Sequence, residues 1–292
     1  MNTVTVITPT YNRAYTLGAL YHSLVSQTDS DFQWIIVDDG STDNTEELCN
    51  GFAESSDFPV IYIKKENGGK HSALNEGIKH IDTPLTIIVD SDDKLTEDAI
   101  ETIKYYYELY KTENVSVFAF QRCDPAGKKT IDIGQDIIRD DYIRYRIKNN
   151  LKGDMAEVFI TEVLKRYPFP VFDGEKFLSE DVVWIELAKS NEYLFINKAI
   201  YICEYLNDGL TSNDKPAKFA SPMGSMLRGY RLMSPECGLM ANIRGAIIYD
   251  CYRIAAGCDL PKEYSMKAYQ RILCKMLSPA GMYYNKRWSR QK

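Results

Sequence analysis

Ile87-Ile88-Val89-Asp90-Ser91-Asp92-Asp93 joins an apolar run of strand character to three carboxylates. In an open parallel sheet, ligands bind in the crevice outside the carboxyl ends of the strands, where this cluster would emerge. Carboxylates one residue apart can converge on a hard divalent cation, which takes oxygen ligands and bridges phosphate oxygens. Read alone, the same residues serve equally well as a solvated loop or a helix N-cap. The surrounding chain decides between these readings.

Upstream, Thr3–Thr8 is a short β-branched run stopped by Pro9, the pattern of a buried strand. A helical face follows, with Leu17, Leu20, Tyr21, Leu24 and Val25 at i, i+3, i+4, i+7 and i+8. Phe32–Val37 predicts a second strand that runs into Asp38-Asp39-Gly40-Ser41, where Ser41, Thr42 and Asp43 are candidate N-caps. Val60–Ile63 predicts a third strand, leading to Asn67-Gly68-Gly69-Lys70 and a helix through Leu74, Ile78 and Ile81. Downstream of the opening stretch, Glu97–Lys111 predicts a helix and Val115–Phe120 a fifth strand. Strand–helix alternation of this kind predicts an α/β fold, a mostly parallel sheet flanked by helices.

Beyond Gln121 the rhythm breaks. Cys123–Ile133, with Pro125 and Gly127, reads as a hairpin or irregular insert. Helices are predicted over 139–148 and 181–189, a strand over 156–161, and one or two strands over 193–205. Mixed amphipathic helices fill Ser225–Leu277. The predicted organisation is one domain in two halves, 1–120 and 121–215, with a helical extension over 216–292.

Composition narrows the function. A formal net charge of -6 supplies no basic surplus for a nucleic-acid backbone. It still allows an anionic substrate, because a bound cation reverses the local field. The seven cysteines form no CxxC pair, as expected for reduced thiols in a cytoplasmic protein. No signal peptide and no apolar run long enough for a membrane span is evident. The basic tail Lys286–Lys292, with Trp288, either touches an anionic membrane surface peripherally or ends unstructured.

The strand ends carry the chemistry: Pro9–Arg13, Asp38–Asp43, Asn67–His71 and Asp90–Asp93 would share one sheet edge. Arg13 and Lys70 can meet phosphate charge, Tyr11 offers a stacking face, and Gly68-Gly69 allows close backbone approach. Taken singly, each has a plainer reading as a turn, a cap or a surface cation.

Together, Thr8-Pro9-Thr10-Tyr11-Asn12-Arg13, Val37-Asp38-Asp39-Gly40-Ser41-Thr42-Asp43, Asn67-Gly68-Gly69 with Ala73 and Asn75, and Asp90-Ser91-Asp92-Asp93 resemble a family 2 glycosyltransferase over the first 100 residues or so. That resemblance implies a GT-A fold binding a nucleotide sugar, usually a UDP-sugar, with Mn²⁺ or Mg²⁺. It places Thr8, Pro9, Tyr11 and Arg13 around base and ribose, Asp39 at the base edge, and Asn67 and Lys70 near ribose or phosphates. Asp90 then binds ribose or sugar and Asp92 the metal, with Asp93 as its possible helper. In the second half, Leu178-Ser179-Glu180-Asp181-Val182-Val183-Trp184 resembles the family's Glu-Asp motif, implying Asp181 as catalytic base and Glu180 beside acceptor or donor sugar. Helix capping by Ser179 or Asp181 is the competing reading. Gly153–Glu157 and Asp208-Gly209-Leu210-Thr211 are weaker resemblances, to an acceptor-side segment and a closing loop.

The expected function is therefore inverting transfer of one sugar to a hydroxyl of a saccharide or lipid-linked saccharide, in bacterial surface polysaccharide or glycolipid synthesis. The Gln-x-x-Arg-Trp motif of processive relatives is absent, since Tyr284 stands where the Gln would precede Arg287-Trp288. A sugar-nucleotide pyrophosphorylase would want a glycine-rich basic loop in place of Pro9–Arg13, and a dinucleotide oxidoreductase a GxGxxG there. An inactive nucleotide-sugar-binding scaffold on the same fold is the non-enzymatic alternative.

Overall fold

In the computed structural model, residues 2–111, 113–131, 133–203 and 214–289 are described. The chain forms two compact units. The first comprises Met1–Asp141, Lys152–Pro168 and Asn191–Glu204, and the second Tyr142–Leu151, Phe169–Ser190 and Tyr205–Lys292.

The first unit opens with strand–helix alternation: β1 (Val4–Thr10), α1 (Ala14–Val25), β2 (Phe32–Asp38), α2 (Thr45–Ser55), β3 (Val60–Lys64), α3 (Lys70–Ile78) and β4 (Leu85–Ile88). There follow β5 (Lys94–Leu95), α4 (Ala99–Tyr110), β6 (Val115–Cys123), β7 (Ile137–Asp140), β8 (Met155–Ile160), α5 (Thr161–Leu164) and β9 (Glu192–Ile202). The nine strands make one sheet in the order β3-β2-β1-β4-β8-β6-β9-β5, with β7 also on β9. Strands β1 to β4 pair in parallel, and β6 pairs in parallel with β9. Because β8 is antiparallel to both β4 and β6, these six strands share one direction, and β5, β7 and β8 oppose them. The mostly parallel α/β sheet is thus present, but β6 does not sit beside β4 as simple alternation suggests. An antiparallel strand from the chain's second half is inserted between them.

Strands β1 and β2 are buried along their whole length, as expected where helices cover both faces of a parallel sheet. Trp34 on β2 stacks with Tyr21 and Phe52 at centroid distances of 6.4 and 5.8 Å, tying α1 and α2 to the sheet. Leu17, Leu20 and Leu24 face this core, whereas Val25, at the margin of the predicted face, is exposed. The crossover direction reverses between β1 and β4, which makes their C-terminal ends the topological switch point. Pro9 fits inside β1 because its missing N–H falls on the β4 side. There the last ladder bond, Val89 N–H to Ile7 C=O, has already been made. The proline therefore releases β4, and the segment from Asp90 leaves the sheet.

Predicted elements differ mainly in the middle of the chain. The helix expected over 139–148 is strand β7 followed by a π-helical turn, Ile143–Lys148. Pairing with the 11-residue β9 overrides the local pattern. Of residues 193–205, where one or two strands are expected, 193–202 lie in the single strand β9, and 204 and 205 lie outside the described residues. The expected boundary at 120 falls within β6, because pairing with β8 and β9 carries that strand on to Cys123.

The second unit holds the π-helical turn, α6 (Asp181–Leu187), α7 (Asp214–Ala220), α8 (Pro222–Leu232), α9 (Leu239–Ala256) and α10 (Ala268–Trp288). Met226, Met233, Ala246, Tyr249 and Tyr252 form its core, and Trp288 packs against it. Helices α8 and α9 cross backbone to backbone: a Cβ at Gly229 would lie 2.6 Å from the Tyr249 nitrogen, and one at Gly245 equally close to the Gly229 oxygen. All seven cysteines are free thiols, five of them buried. No helix among the described residues is long and apolar enough to cross a membrane.

Candidate active site

The loops after β1, β2 and β3 are knitted into one shelf by short polar side chains. Asn12 adopts a left-handed conformation, φ 51°, which asparagine tolerates better than most residues. Its N–H donates to Ser41 Oγ at 2.8 Å, and its Oδ1 accepts the Thr42 N–H at 2.8 Å. Asp43, one of three candidate caps, receives Ala14 N–H through one oxygen and Thr45 through the other, so it serves the starts of both α1 and α2. Burial opposes the Asp43 charge, yet these hydrogen bonds hold its carboxyl below the usual range. Asp38 is buried, accepting from Ser41 N–H and the Tyr62 hydroxyl.

Asp39 binds the shelf to the third loop. Its Oδ1 accepts from Gly68 N–H and Lys65 Nζ, both at 2.9 Å. Its Oδ2 accepts from Gly69 N–H at 2.6 Å and Asn67 Nδ2 at 3.1 Å. Four donors fill the carboxylate's lone-pair directions. Gly69 sits at φ 90° as the N-cap of α3, a conformation that favours glycine. A Cβ at Gly68 would lie 2.6 Å from Ser72 Oγ. The glycines thus bring backbone up to Asp39 and Ser72, a tighter local purpose than the ligand approach expected of them.

The strand-β4 loop is held from the far side of the sheet. Tyr201 on β9 donates its hydroxyl proton to Asp93 Oδ2 at 2.6 Å, and the Tyr201 hydroxyl oxygen accepts Asp90 N–H at 3.1 Å. Arg122 on β6 stacks over the Tyr201 ring, 4.1 Å from its centroid, and donates Nε–H to the Met155 carbonyl. Its guanidinium also lies 3.8 Å from Asp93. Lys70, the first residue of α3, reaches Asp90 at 2.5 Å. Burial disfavours the Asp90 charge, but Lys70 and then Arg122 outweigh it and keep this carboxyl below its ordinary range. Asp92 behaves oppositely, since burial and the nearby Asp90 raise it. The same two causes push Asp93 up to about 6 despite the Tyr201 hydrogen bond.

Of the expected nucleotide residues, Lys70 and Asp90 are in direct contact, and Asp39 and Asn67 are hydrogen-bonded. Tyr11 presents an exposed ring, and Arg13 stacks against Tyr15. Thr8 is fully buried, and its hydroxyl accepts the Trp34 indole N–H at 2.9 Å, so its side chain supports the sheet. Pro9 is buried beside it and acts by ending the β1–β4 ladder. Asp93 is 7% exposed and turned toward Tyr201, whereas Asp90 and Asp92 are half-buried.

Among the described residues no three His, Cys, Asp or Glu side chains enclose a metal. The donor chemistry nonetheless fits a hard cation held by one or two carboxylates, with phosphate oxygens and water completing its shell. Asp92 supplies oxygen donors where burial and Asp90 leave negative charge undercompensated.

In the second unit, Asp181 starts α6, but no side-chain hydrogen bond caps that helix. The Asp181 carboxylate instead accepts Arg228 Nε–H, at 2.7 Å to one oxygen and 3.0 Å to the other. Capping, the competing reading of this motif, is therefore not what the carboxylate does. Glu180 immediately precedes the helix. Residues 208–211, the expected closing loop, lie outside the described residues, and Asp154 and Glu157 add negative charge near Arg122. Sequence reading missed Lys65, Arg122, Tyr201 and Arg228.

The fold and this edge define an α/β protein with a charged shelf of loops at its topological switch point. Residues 5–161, more than half of the 292, match the family described as Glycosyl transferase family 2, and the chain belongs to that family. It is 28% identical to Glycosyltransferase GlyG of Streptococcus pneumoniae over 210 residues, covering 68% of this chain and 69% of that protein. It is 37% identical to Glycosyltransferase GlyA of the same organism over 100 residues, which cover 34% of this chain and only 14% of GlyA. In solved structures, the fold is shared with S. aureus TarS 1-349 (TM-score 0.64, 16% identity, covering 99% of this chain and 92% of that one). It is shared also with the mannosyltransferase PcManGT of Pyrobaculum calidifontis (TM-score 0.60, 17% identity, 97% and 86% covered).

Proposed function

We propose that the protein is a metal-dependent, inverting glycosyltransferase that moves one sugar from a nucleotide sugar, a UDP-sugar in the first instance, to an acceptor hydroxyl. The observation that carries this reading is the pairing of Lys70 with Asp90 beside the half-buried Asp92 at the β1–β4 switch point. Cationic and anionic groups meet there, at a family 2 strand edge, as a nucleotide diphosphate and a cation require. Relatives support the donor class: TarS has been crystallised with UDP and with UDP-GlcNAc, and PcManGT with GDP-Man and Mn²⁺. Bacillus subtilis TuaG, 24% identical over 214 residues, is described as a putative teichuronic acid biosynthesis glycosyltransferase, consistent with surface-polysaccharide assembly.

In this reading Tyr11 stacks on the base, Arg13 and Lys70 neutralise the diphosphate, and Asp90 orients ribose or sugar. For Asp39 to read the base edge, one protein donor must give way. Lys65 is the candidate, since it also reaches Ser72 Oγ and the Glu66 carbonyl. Asp92 holds Mn²⁺ or Mg²⁺, which supplies charge neutralisation for the leaving diphosphate. Asp181 accepts the proton of the acceptor hydroxyl as its oxygen bonds to the anomeric carbon and the sugar–phosphate bond breaks. The acceptor is a saccharide or lipid-linked saccharide, and the reaction belongs at the cytoplasmic face of the cell membrane.

Incubation with UDP-glucose, UDP-galactose and UDP-GlcNAc in Mn²⁺ tests the reading through release of UDP. Slow release from at least one donor, abolished by EDTA, is expected. Stable donors throughout, with folded protein, would contradict it.

A further inference from the structure

Beside Asp181, within the second unit, lies a pocket of about 160 Å³. Helical spacing builds its walls. Lys215 and Lys218 come from α7 at i and i+3, Ser225 and Arg228 from α8 at i and i+3, and Ile248 and Tyr252 from α9 at i and i+4. Phe177 and Ser179, from the approach to α6, and Trp288, from the end of α10, complete it. Lys218 Nζ stands 6.0 Å from the centre of the Phe177 ring. Among the described lining residues, three side chains are cationic and none is acidic, although the whole chain has a formal charge of -6. Arg228 is shared, because the residue that lines the pocket also directs its Nε–H to both oxygens of Asp181.

We propose that this pocket is an acceptor subsite for a phosphate group, taking a phosphorylated saccharide. Lysine ammonium groups and a guanidinium suit phosphate oxygens, and the Ser179 hydroxyl adds a donor. Phe177, Tyr252 and Trp288 offer apolar faces to the carbon skeleton attached to that phosphate. Because Arg228 belongs to both places, a phosphate seated here holds the hydroxyls of its own residue close to Asp181. The cations thereby select the acceptor, in the transfer reaction proposed above, by its negative charge.

The test titrates the full 292-residue protein calorimetrically with glucose 6-phosphate, glucose and inorganic phosphate, and separately with UDP in Mn²⁺. Glucose 6-phosphate is expected to bind about tenfold or more tightly than glucose, with inorganic phosphate competing. K215Q/K218Q, exposed or half-buried helical changes that keep helix propensity, should weaken it about fivefold or more and leave UDP affinity within about twofold. The charge-keeping K215R/K218R should restore most of the phosphate binding. Equal affinity for glucose and glucose 6-phosphate overturns the proposal, as does undiminished binding by K215Q/K218Q. A parallel loss of UDP affinity in that variant also overturns it, by giving these cations to the donor. Binding only to phosphatidylglycerol vesicles overturns it by giving them to a membrane surface. Phosphate binding in a protein that takes no UDP upholds the pocket while removing the donor assignment, and UDP binding without phosphate binding does the reverse.

Discussion

Asp92→Asn is expected to remove nearly all sugar transfer, by about a thousandfold or more if the cation supplies several kcal/mol of charge stabilisation. Asp92 is a half-buried carboxylate, raised by burial and by Asp90, and an amide there keeps the shape while withdrawing the charge. UDP affinity measured in Mn²⁺ should fall toward the value in EDTA, whereas the metal-free value should barely move. An Asp92→Asn protein with wild-type Mn²⁺-dependent UDP binding would take the metal away from this residue. Asp93→Asn provides the contrast. Asp93 is turned toward Tyr201 and Arg122, so its loss should show in stability more than in metal affinity.

Asp181→Asn is expected to lower transfer by about 10²- to 10⁴-fold, the range for removing a positioned general base. Unlike the first variant, it should bind UDP and Mn²⁺ as the wild type does. Asn can still accept one hydrogen bond from Arg228, so geometry is largely kept while basicity is lost. Circular dichroism and thermal unfolding are the controls, because the variant removes the Asp181 charge from beside the Arg228 guanidinium. Normal turnover by Asp181→Asn would move the base elsewhere.

The shared edge of polar loops was legible in the sequence because parallel strands place their C-terminal ends together. Each loop there carried its polar residues contiguously, so Asp39, Lys70, Asp90 and Asp92 could be named from position alone. What was not legible came from pairing across long sequence distances. Arg122 lies just beyond the predicted end of its strand, and Tyr201 is one tyrosine in an apolar run. Only the insertion of β8 and the parallel pairing of β6 with β9 bring both under Asp90 and Asp93. The Thr8 contact was not legible either, because a threonine at a strand end can face solvent or sheet, and its hydroxyl partner, Trp34, lies 26 residues away. Arg228 belongs to a helical region whose apolar pattern shows a packed face but not which turn meets Asp181.

The most direct test of the central claim is calorimetric titration of UDP, GDP and CDP into the purified protein, in Mn²⁺ and then in EDTA. Nucleotide-sugar transfer through Asp92 predicts binding that prefers UDP and collapses when the metal is removed. A folded protein that binds none of the three in Mn²⁺ would contradict it and leave a family 2 fold serving as a scaffold.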